Sequence, residues 1–395
     1  MSTAVFFAFG YDLFALQAVT PVLLTHPTWQ VTPGVLGLIA SATALGGALG
    51  ALMADRLSNA YGGRTTIAIC VGWVSGCMLF AGLTTNLVAF GASRFLLGVG
   101  LGIASPLLCA LVVAWSRLGR RSLYCGIAQS GIPFGAIAAV SADHSLLVGM
   151  DVRWIFLVGV LPVLLVPVCR HLIPVVEPEE AHLFDRATRR DAQVVTDEWW
   201  GLFEPGWALA SLLFSVASFV GLLLIYSVSS WLPILMTGTK HDMSSAFEFA
   251  IAFNAGAVVA TLIFCFVADR VPAKLCVIAL FLVATAAMHG LTTAEDGRAI
   301  LGTVAVVGGG IMGAQNIMCS YVARYYPYRL RGAALGLTLG IGRFGSAIGP
   351  SYLTVQTTVS SDSVGFLSLA TLALIAAVAV ALIPSRRRSH QRSAA

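Results

Sequence analysis

Charge is what this chain has least of. Of its 395 residues, 18 are acidic and 23 basic, 10% in all, against 58% apolar. A water-soluble domain carries roughly 25% charged residues. The shortage therefore excludes a soluble globular fold and points to a polytopic, all-α membrane protein. Other absences narrow the class. No basic n-region and no small-x-small cleavage site precede the first apolar run, so that run is a retained span, not a removable signal. The chain starts almost inside it, and a short cytoplasmic tail is expected ahead of it. The eight cysteines (Cys70, Cys77, Cys109, Cys125, Cys169, Cys265, Cys276 and Cys319) stand singly in apolar runs. With no CxxC and no His/Cys cluster at metal-ligand spacing, they read as small packing residues. There is no Walker-type glycine loop, so ATP is not the energy source and no cofactor is implied. No nucleophile or metal constellation supports a membrane enzyme.

What the chain does have is long apolar runs. The first, Ala4–Leu24, is long enough for a bilayer core, which takes about 20 helical residues. Further spans are expected near 34–54, 66–83, 87–115, 122–142 and 153–173, then near 206–236, 243–268, 273–292, 298–322, 331–357 and 363–384. That makes twelve. Between the sixth and seventh lies one extended polar stretch, 174–205, with seven acids from Glu177 to Glu198. It divides the chain into a six-span half at 1–173, a linker, a second half at 206–384, and a basic tail at 385–395. Trp199, Trp200 and Trp207 at the end of the linker suit an interfacial belt.

The net charge of +5 is explained by its location, not by nucleic-acid binding. Arg56, Arg64, Arg117, Arg120, Arg121, Arg170, Arg186, Arg189 and Arg190 fall in alternate loops of the first half. Arg270, Lys274, Arg324, Arg329, Arg331 and the tail arginines do the same in the second. The opposite loops hold only Arg153, Lys240 and Arg298. The positive-inside bias then places both termini in the cytoplasm.

The halves echo each other. Met53-Ala-Asp55-Arg56 follows the second span, and Val267-Ala-Asp269-Arg270 follows the eighth. Arg121 precedes Gly135 by the same spacing with which Arg331 precedes Gly345. Both features recur at nearly the same offset along the chain. A duplicated six-span unit around a central site is a transporter layout. In each Asp-Arg turn a carboxylate at a helix end can pair with arginines and cap a neighbouring helix N-terminus. Asp55, Arg56, Asp269 and Arg270 are thus candidates for gating, against the alternative of ordinary charged loops.

Within the spans, ionisable groups are few. Asp12 is the one acid well inside an apolar spanning run. A charge at that depth costs several kcal/mol, so it faces a protein interior or a wet cavity. It either pairs with a basic residue on another helix or serves as a proton or substrate site. Arg94 lies inside span four and Arg343 inside span eleven, both among glycines. A guanidinium stays charged, and its planar fork matches a carboxylate. The arrangement expected has one arginine, with Arg343 preferred, anchoring a substrate carboxylate and the other partnering Asp12. Gln315 and Asn316 in span ten offer uncharged donors and acceptors, or simply pack between helices. Tyr11, Phe14, Phe95 and Trp231 are candidates to flank an aromatic ring. His26, His144, His241 and His289 lie toward the outer surface and are not favoured proton carriers.

The Asp-Arg turns resemble the loop signature of the major facilitator superfamily, G-x-x-x-D-R-x-G-R-R, with Ala51 in place of the leading Gly and an insertion at Leu57–Tyr61 in the first copy. A narrower resemblance covers almost the whole chain. Gly10-Tyr-Asp12, Arg94-Phe-Leu-Leu-Gly-Val-Gly-Leu-Gly102, Arg153-Trp-Ile-Phe156, Trp231-Leu-Pro233 and Gly313-Ala-Gln-Asn316 look like the aromatic acid:proton symporter family. So do Ala323-Arg-Tyr-Tyr-Pro327 and Leu339-Gly-Ile-Gly-Arg-Phe-Gly-Ser-Ala-Ile-Gly-Pro350. The chain departs from that family at Phe9, where it usually has a first acid, and at Ala114, where a Glu is common. The resemblance implies a secondary transporter in the cytoplasmic membrane, working as a monomer, that imports a small aromatic carboxylate with protons. Transport of another organic anion, or export of a drug-like compound, is the rival. A sensor or scaffold would need a signalling domain, and the polar linker and short tail are too little for one.

Overall fold

The computed structural model describes residues 1–25, 32–117, 119–146, 153–172, 199–238, 243–292, 297–359 and 362–384. The central stretch 173–198, the tail 385–395, and His26, Lys240 and His241 lie outside the described residues, as do the side chains of His144 and Trp231.

Twelve helical crossings follow the apolar runs. The first four are unbroken: α1 (Ser2–Thr25), α2 (Pro33–Tyr61), α3 (Gly63–Leu83) and α4 (Leu87–Trp115). Their ends follow local chemistry. Pro33 opens α2, where its missing N–H is no loss. Gly62 closes it at φ 79°, a conformation that glycine tolerates. Asn86 caps α4 by accepting from the amides of Val88 and Ala89 at 2.8 and 3.3 Å.

Spans five and six are broken, which the expected single helices did not include. Span five is α5 (Arg121–Gln129) and α6 (Gly131–Leu146). Pro133 has no N–H to offer the Gln129 carbonyl one turn back, and the helix jogs there. Span six is α7 (Arg153–Val158), a 3-10 turn at Leu161–Leu164 and α8 (Leu165–Leu172). Here Pro162 removes the bond to Val158, and Gly159 and Val160 carry the break.

After a 3-10 turn at Trp200–Phe203 come α9 (Ala208–Gly238), α10 (Met243–Ala268), α11 (Ala273–Leu291), α12 (Gly297–Tyr325), α13 (Tyr328–Val359) and α14 (Asp362–Leu382). Among the described residues, eleven of the twelve crossings are long and apolar enough to span a membrane. The twelfth, α13, has 32 residues and carries Arg329, Arg331 and Arg343, which dilute its apolar character. Large apolar side chains such as Leu38, Val88, Leu212 and Leu382 point outward, as a lipid-facing surface requires. All eight cysteines are buried and free.

The two halves pack by the same rule. In the first, α1 lies against α6 and α2 against α4; in the second, α9 lies against α13 and α10 against α12. Between the halves, α2 meets α13 and α10 meets α5 and α6. Spans 1, 2, 4 and 5 thus have the same partners as spans 7, 8, 10 and 11, and the cross-contacts 2–11 and 5–8 are related in the same way.

Glycine makes the equivalent pairs close. A Cβ at Gly135 would run into the carbonyl oxygen of Phe7 on α1, and one at Gly345 into that of Phe219 on α9. These are the glycines whose spacing from Arg121 and Arg331 repeats along the chain. In lipid, where apolar burial does not drive helices together, such close backbone approach is a main source of attraction.

Candidate functional site

At one end of the bundle each half reaches across to the other. Asp269, at the end of α10, accepts from the main-chain amides of Ser122 and Leu123 at 2.8 and 3.0 Å. It thereby caps the N-terminus of α5, where unpaired amides and the helix dipole favour an anion. Arg324 on α12 completes the contact: its Nη1 lies 3.7 Å from Asp269 Oδ1 and donates to Ser122 Oγ at 2.8 Å and to the Ala268 carbonyl at 3.3 Å. The mirror-image contact is made by Asp55, at the corresponding place on α2. Its carboxylate lies where a Cβ on Gly332 would be, in the first turns of α13.

Gly332 stands one repeat after Ser122, so both Asp-Arg turns grip equivalent helix starts. Of the four residues expected in gating, the two carboxylates take these positions. Arg56 and Arg270 are exposed, and Arg270 lies over the Phe266 ring at 3.9 Å. Arg324, by sequence a loop charge among others, is the cation in the second contact.

Above these contacts lies a cavity of about 90 Å³ between the halves. Arg343, Tyr226, Phe14, Gln129, Gln315 and Asn316 are among the residues that line it. Phe14 on α1 and Tyr226 on α9 stack with centroids 6.4 Å apart and planes at 15°. They stand one repeat apart, as Phe7 and Phe219 do, so the pair sits across the pseudo-twofold. The Arg343 stem passes over Gly47 of α2, where any Cβ would press on it, and its Nη1 lies 3.5 Å from the Tyr226 hydroxyl. Among the described residues no carboxylate comes within ion-pair distance of Arg343. The planar fork of a guanidinium matches the geometry of a carboxylate.

The amides are held from behind. Gln315 Nε2 donates to Ser218 Oγ at 2.8 Å, and Asn316 Nδ2 to Thr261 Oγ1 at 3.0 Å. Gln129 Nε2 donates to the Asn316 carbonyl oxygen across the half-to-half boundary at 2.9 Å and contacts Cys125 Sγ at 3.2 Å.

Asp12 and Arg94 form a second group inside the first half, behind the cavity lining but close enough for Arg94 to interact electrostatically with Tyr226. Both are buried, at 0% and 1% exposure. Arg94 Nη2 donates to the main-chain oxygen of Asp12 at 3.1 Å, Nη1 lies 3.6 Å from Met78 Sδ, and the guanidinium is 6.0 Å from the Phe156 ring centroid. Among the described residues, neither carboxylate oxygen of Asp12 receives a hydrogen bond. They lie beside Gly159, at the break in span six, where any side chain would collide with Asp12 and Met78. Tyr11 turns away from the cavity and donates to the Ile155 carbonyl at 3.0 Å, tying span one to span six.

The structure therefore gathers Arg343, Gln315 and Asn316 in one place and Asp12, Arg94 and Tyr11 in another. Sequence reasoning passed over Gln129, Tyr226, Ser218 and Thr261. The repeat offset held a signal for the first, because Gln129 and Leu339 stand one repeat apart, just as Pro133 and Arg343 do.

Twelve crossings in two equivalent halves, a central, largely apolar cavity with a few polar side chains, and matched contacts between the halves at one end define a membrane transporter. The chain belongs to the Major Facilitator Superfamily, whose model matches residues 3–350. It is similar to the gentisate transporter of Corynebacterium glutamicum, 30% identical over 393 residues, covering 96% of this chain and 86% of the relative. The benzoate transport protein of Acinetobacter baylyi is 25% identical, covering 98% and 89%. The 4-hydroxybenzoate transporter PcaK of Pseudomonas putida is 26% identical, covering 86% and 81%. In fold it matches the proton:xylose symporter XylE with a TM-score of 0.80 at 13% identity, covering 97% of this chain and 94% of that one.

Proposed function

We propose that this protein is a proton-coupled symporter that imports a small aromatic carboxylate across the cytoplasmic membrane as a monomer. The observation that carries the reading is Arg343: a guanidinium at a cavity between the halves, with no protein carboxylate at ion-pair distance among the described residues. Stacked Phe14 and Tyr226 give the same cavity an aromatic wall, and the relatives with whole-chain similarity are named for gentisate, benzoate and 4-hydroxybenzoate.

Proton coupling is assigned to Asp12. A buried carboxyl changes its proton affinity when burial and neighbouring charge change with conformation, and Asp12 is in contact with both Arg94 and the break in span six. The arginine-rich loops orient the Asp-Arg turns toward the cytoplasm, so the gripped end is the cytoplasmic gate in its closed state.

The test is uptake of labelled 4-hydroxybenzoate, gentisate and benzoate into proteoliposomes. An inward proton gradient should drive accumulation, and a protonophore should collapse it. Dye efflux with no aromatic-acid uptake would move the assignment to drug export, and uptake of aliphatic acids alone would make it a transporter of other organic anions.

A further inference from the structure

We infer that Gln129 reads a hydrogen-bond donor on the substrate, so that the preferred ligands are aromatic carboxylates bearing a ring hydroxyl rather than unsubstituted ones. This rests on the carboxylate reading of Arg343 given above and adds a second contact point to it.

The Gln129 amide has one fixed orientation. Oxygen and nitrogen of a glutamine side chain are told apart by their partners. Gln129 Nε2 faces the main-chain oxygen of Asn316 at 2.9 Å. A carbonyl oxygen only accepts, so the nitrogen must point there and Oε1 must point elsewhere. Among the described residues no donor reaches Gln129 Oε1, and it is not among the side-chain atoms sealed from solvent without a partner. Gln129 is buried, with 3% exposure, yet it lines the cavity. The cavity is thus offered a fixed acceptor with no protein donor.

The backbone positions it. Pro133 breaks span five just after Gln129, and Cys125, one turn earlier, lies against the same Nε2 at 3.2 Å. The amide is held before any ligand arrives, so little freedom is lost when one binds.

Pseudo-symmetry adds a second argument. Spans five and eleven are related helices that each bring a polar group to the cavity from opposite halves, as spans four and ten do with Ser105 and Gln315. On span eleven the position equivalent to Gln129 is Leu339, and Arg343 stands one turn beyond it. On span five the position equivalent to Arg343 is Pro133. Each helix therefore contributes one polar side chain, one turn out of register: a cation from one half and a neutral acceptor from the other. A ligand that satisfies both carries an anion and a hydrogen-bond donor. A hydroxylated aromatic acid does, whereas benzoate supplies only the first. A site built around a hydroxyl rejects the analogue lacking it, because the protein acceptor is then shut away from water unpaired.

The experiment is equilibrium binding of 3- and 4-hydroxybenzoate, gentisate and benzoate to detergent-purified wild type, Gln129→Leu and Gln129→Met. Wild type should bind at least one hydroxylated acid about tenfold or more tighter than benzoate, the scale of one lost hydrogen bond. In both variants that ratio should fall toward one. A ratio that survives in both variants, or a wild type that prefers benzoate, overturns the inference. Equal loss for all acids, with the ratio intact, makes Gln129 a clasp between the halves and also overturns it. If wild type binds no aromatic acid, the reading of Arg343 fails first, and the ratio experiment shows this separately.

Discussion

Asp269 and Ser122 belong to opposite halves of the chain, yet the Asp269 carboxylate accepts the Ser122 amide at 2.8 Å. The bond pairs an anion with the positive end of a helix that must move away if the halves rock open. It ties the two halves together at one end of the bundle without touching the cavity.

Asp269→Asn should therefore slow transport while leaving equilibrium substrate binding within about twofold of wild type. An amide oxygen still accepts, but the charge that favours the helix terminus is gone, worth about 0.3–2 kcal/mol. Asp55→Asn, beside Gly332, should act in the same direction. Turnover in proteoliposomes set against binding in detergent separates the two effects, and a large affinity loss in both variants would count against gating.

Arg324 extends the same idea. It donates to Ser122 and lies near Asp269, whereas Arg270 is exposed beside Phe266. Arg324→Gln should slow turnover more than Arg270→Gln does. Equal rates in the two variants would show that the arginine of the signature turn, and not the one on α12, matters to the latch.

Much of this was legible before the fold. Apolar run lengths give all twelve crossings, because a bilayer sets the length of a helix. The repeat ties Asp55 to Asp269 and Gly135 to Gly345, and the structure puts each pair in equivalent contacts. The expectation that a carboxylate in these turns caps a neighbouring helix is met by Asp269 at Ser122 and Leu123. What the chain could not reveal is direction. Asp12 and Tyr11 are adjacent on one helix with Phe14 a turn away, but only Phe14 faces the cavity. With apolar residues on every side, periodicity does not tell an inner face from an outer one. Gln129 was hidden for the same reason, and the breaks in spans five and six depend on where Pro133 and Pro162 fall relative to the packing.

Asp12→Asn should abolish uphill accumulation while sparing expression and substrate exchange. The side chain sits beside Gly159, and among the described residues neither carboxylate oxygen is hydrogen-bonded, so an amide of the same shape fits but no longer carries a titrating proton. Counterflow exchange and gradient-driven uptake, measured on the same proteoliposomes, read the two functions apart. An Asn variant that still concentrates substrate like wild type would remove Asp12 from coupling.

Arg343 is the sharpest test of the cavity. Arg343→Lys keeps the charge but loses the planar fork that meets a carboxylate with two parallel bonds, so acid binding should weaken substantially. The amide of the same ligand has no anion to present. It should bind wild type poorly and lose little more in the variant. Acid and amide binding to both proteins form a double-mutant cycle between residue and ligand group, and the coupling should be at least about 1.4 kcal/mol, a factor of ten. Arg94 is the control, because its guanidinium is engaged by the Asp12 main chain and Met78 and it does not itself line the cavity. Its replacement by Lys should give no coupling to the ligand carboxylate. A coupling near zero at Arg343 together with a large one at Arg94 would move the anchor into the first half and reverse the roles of the two arginines.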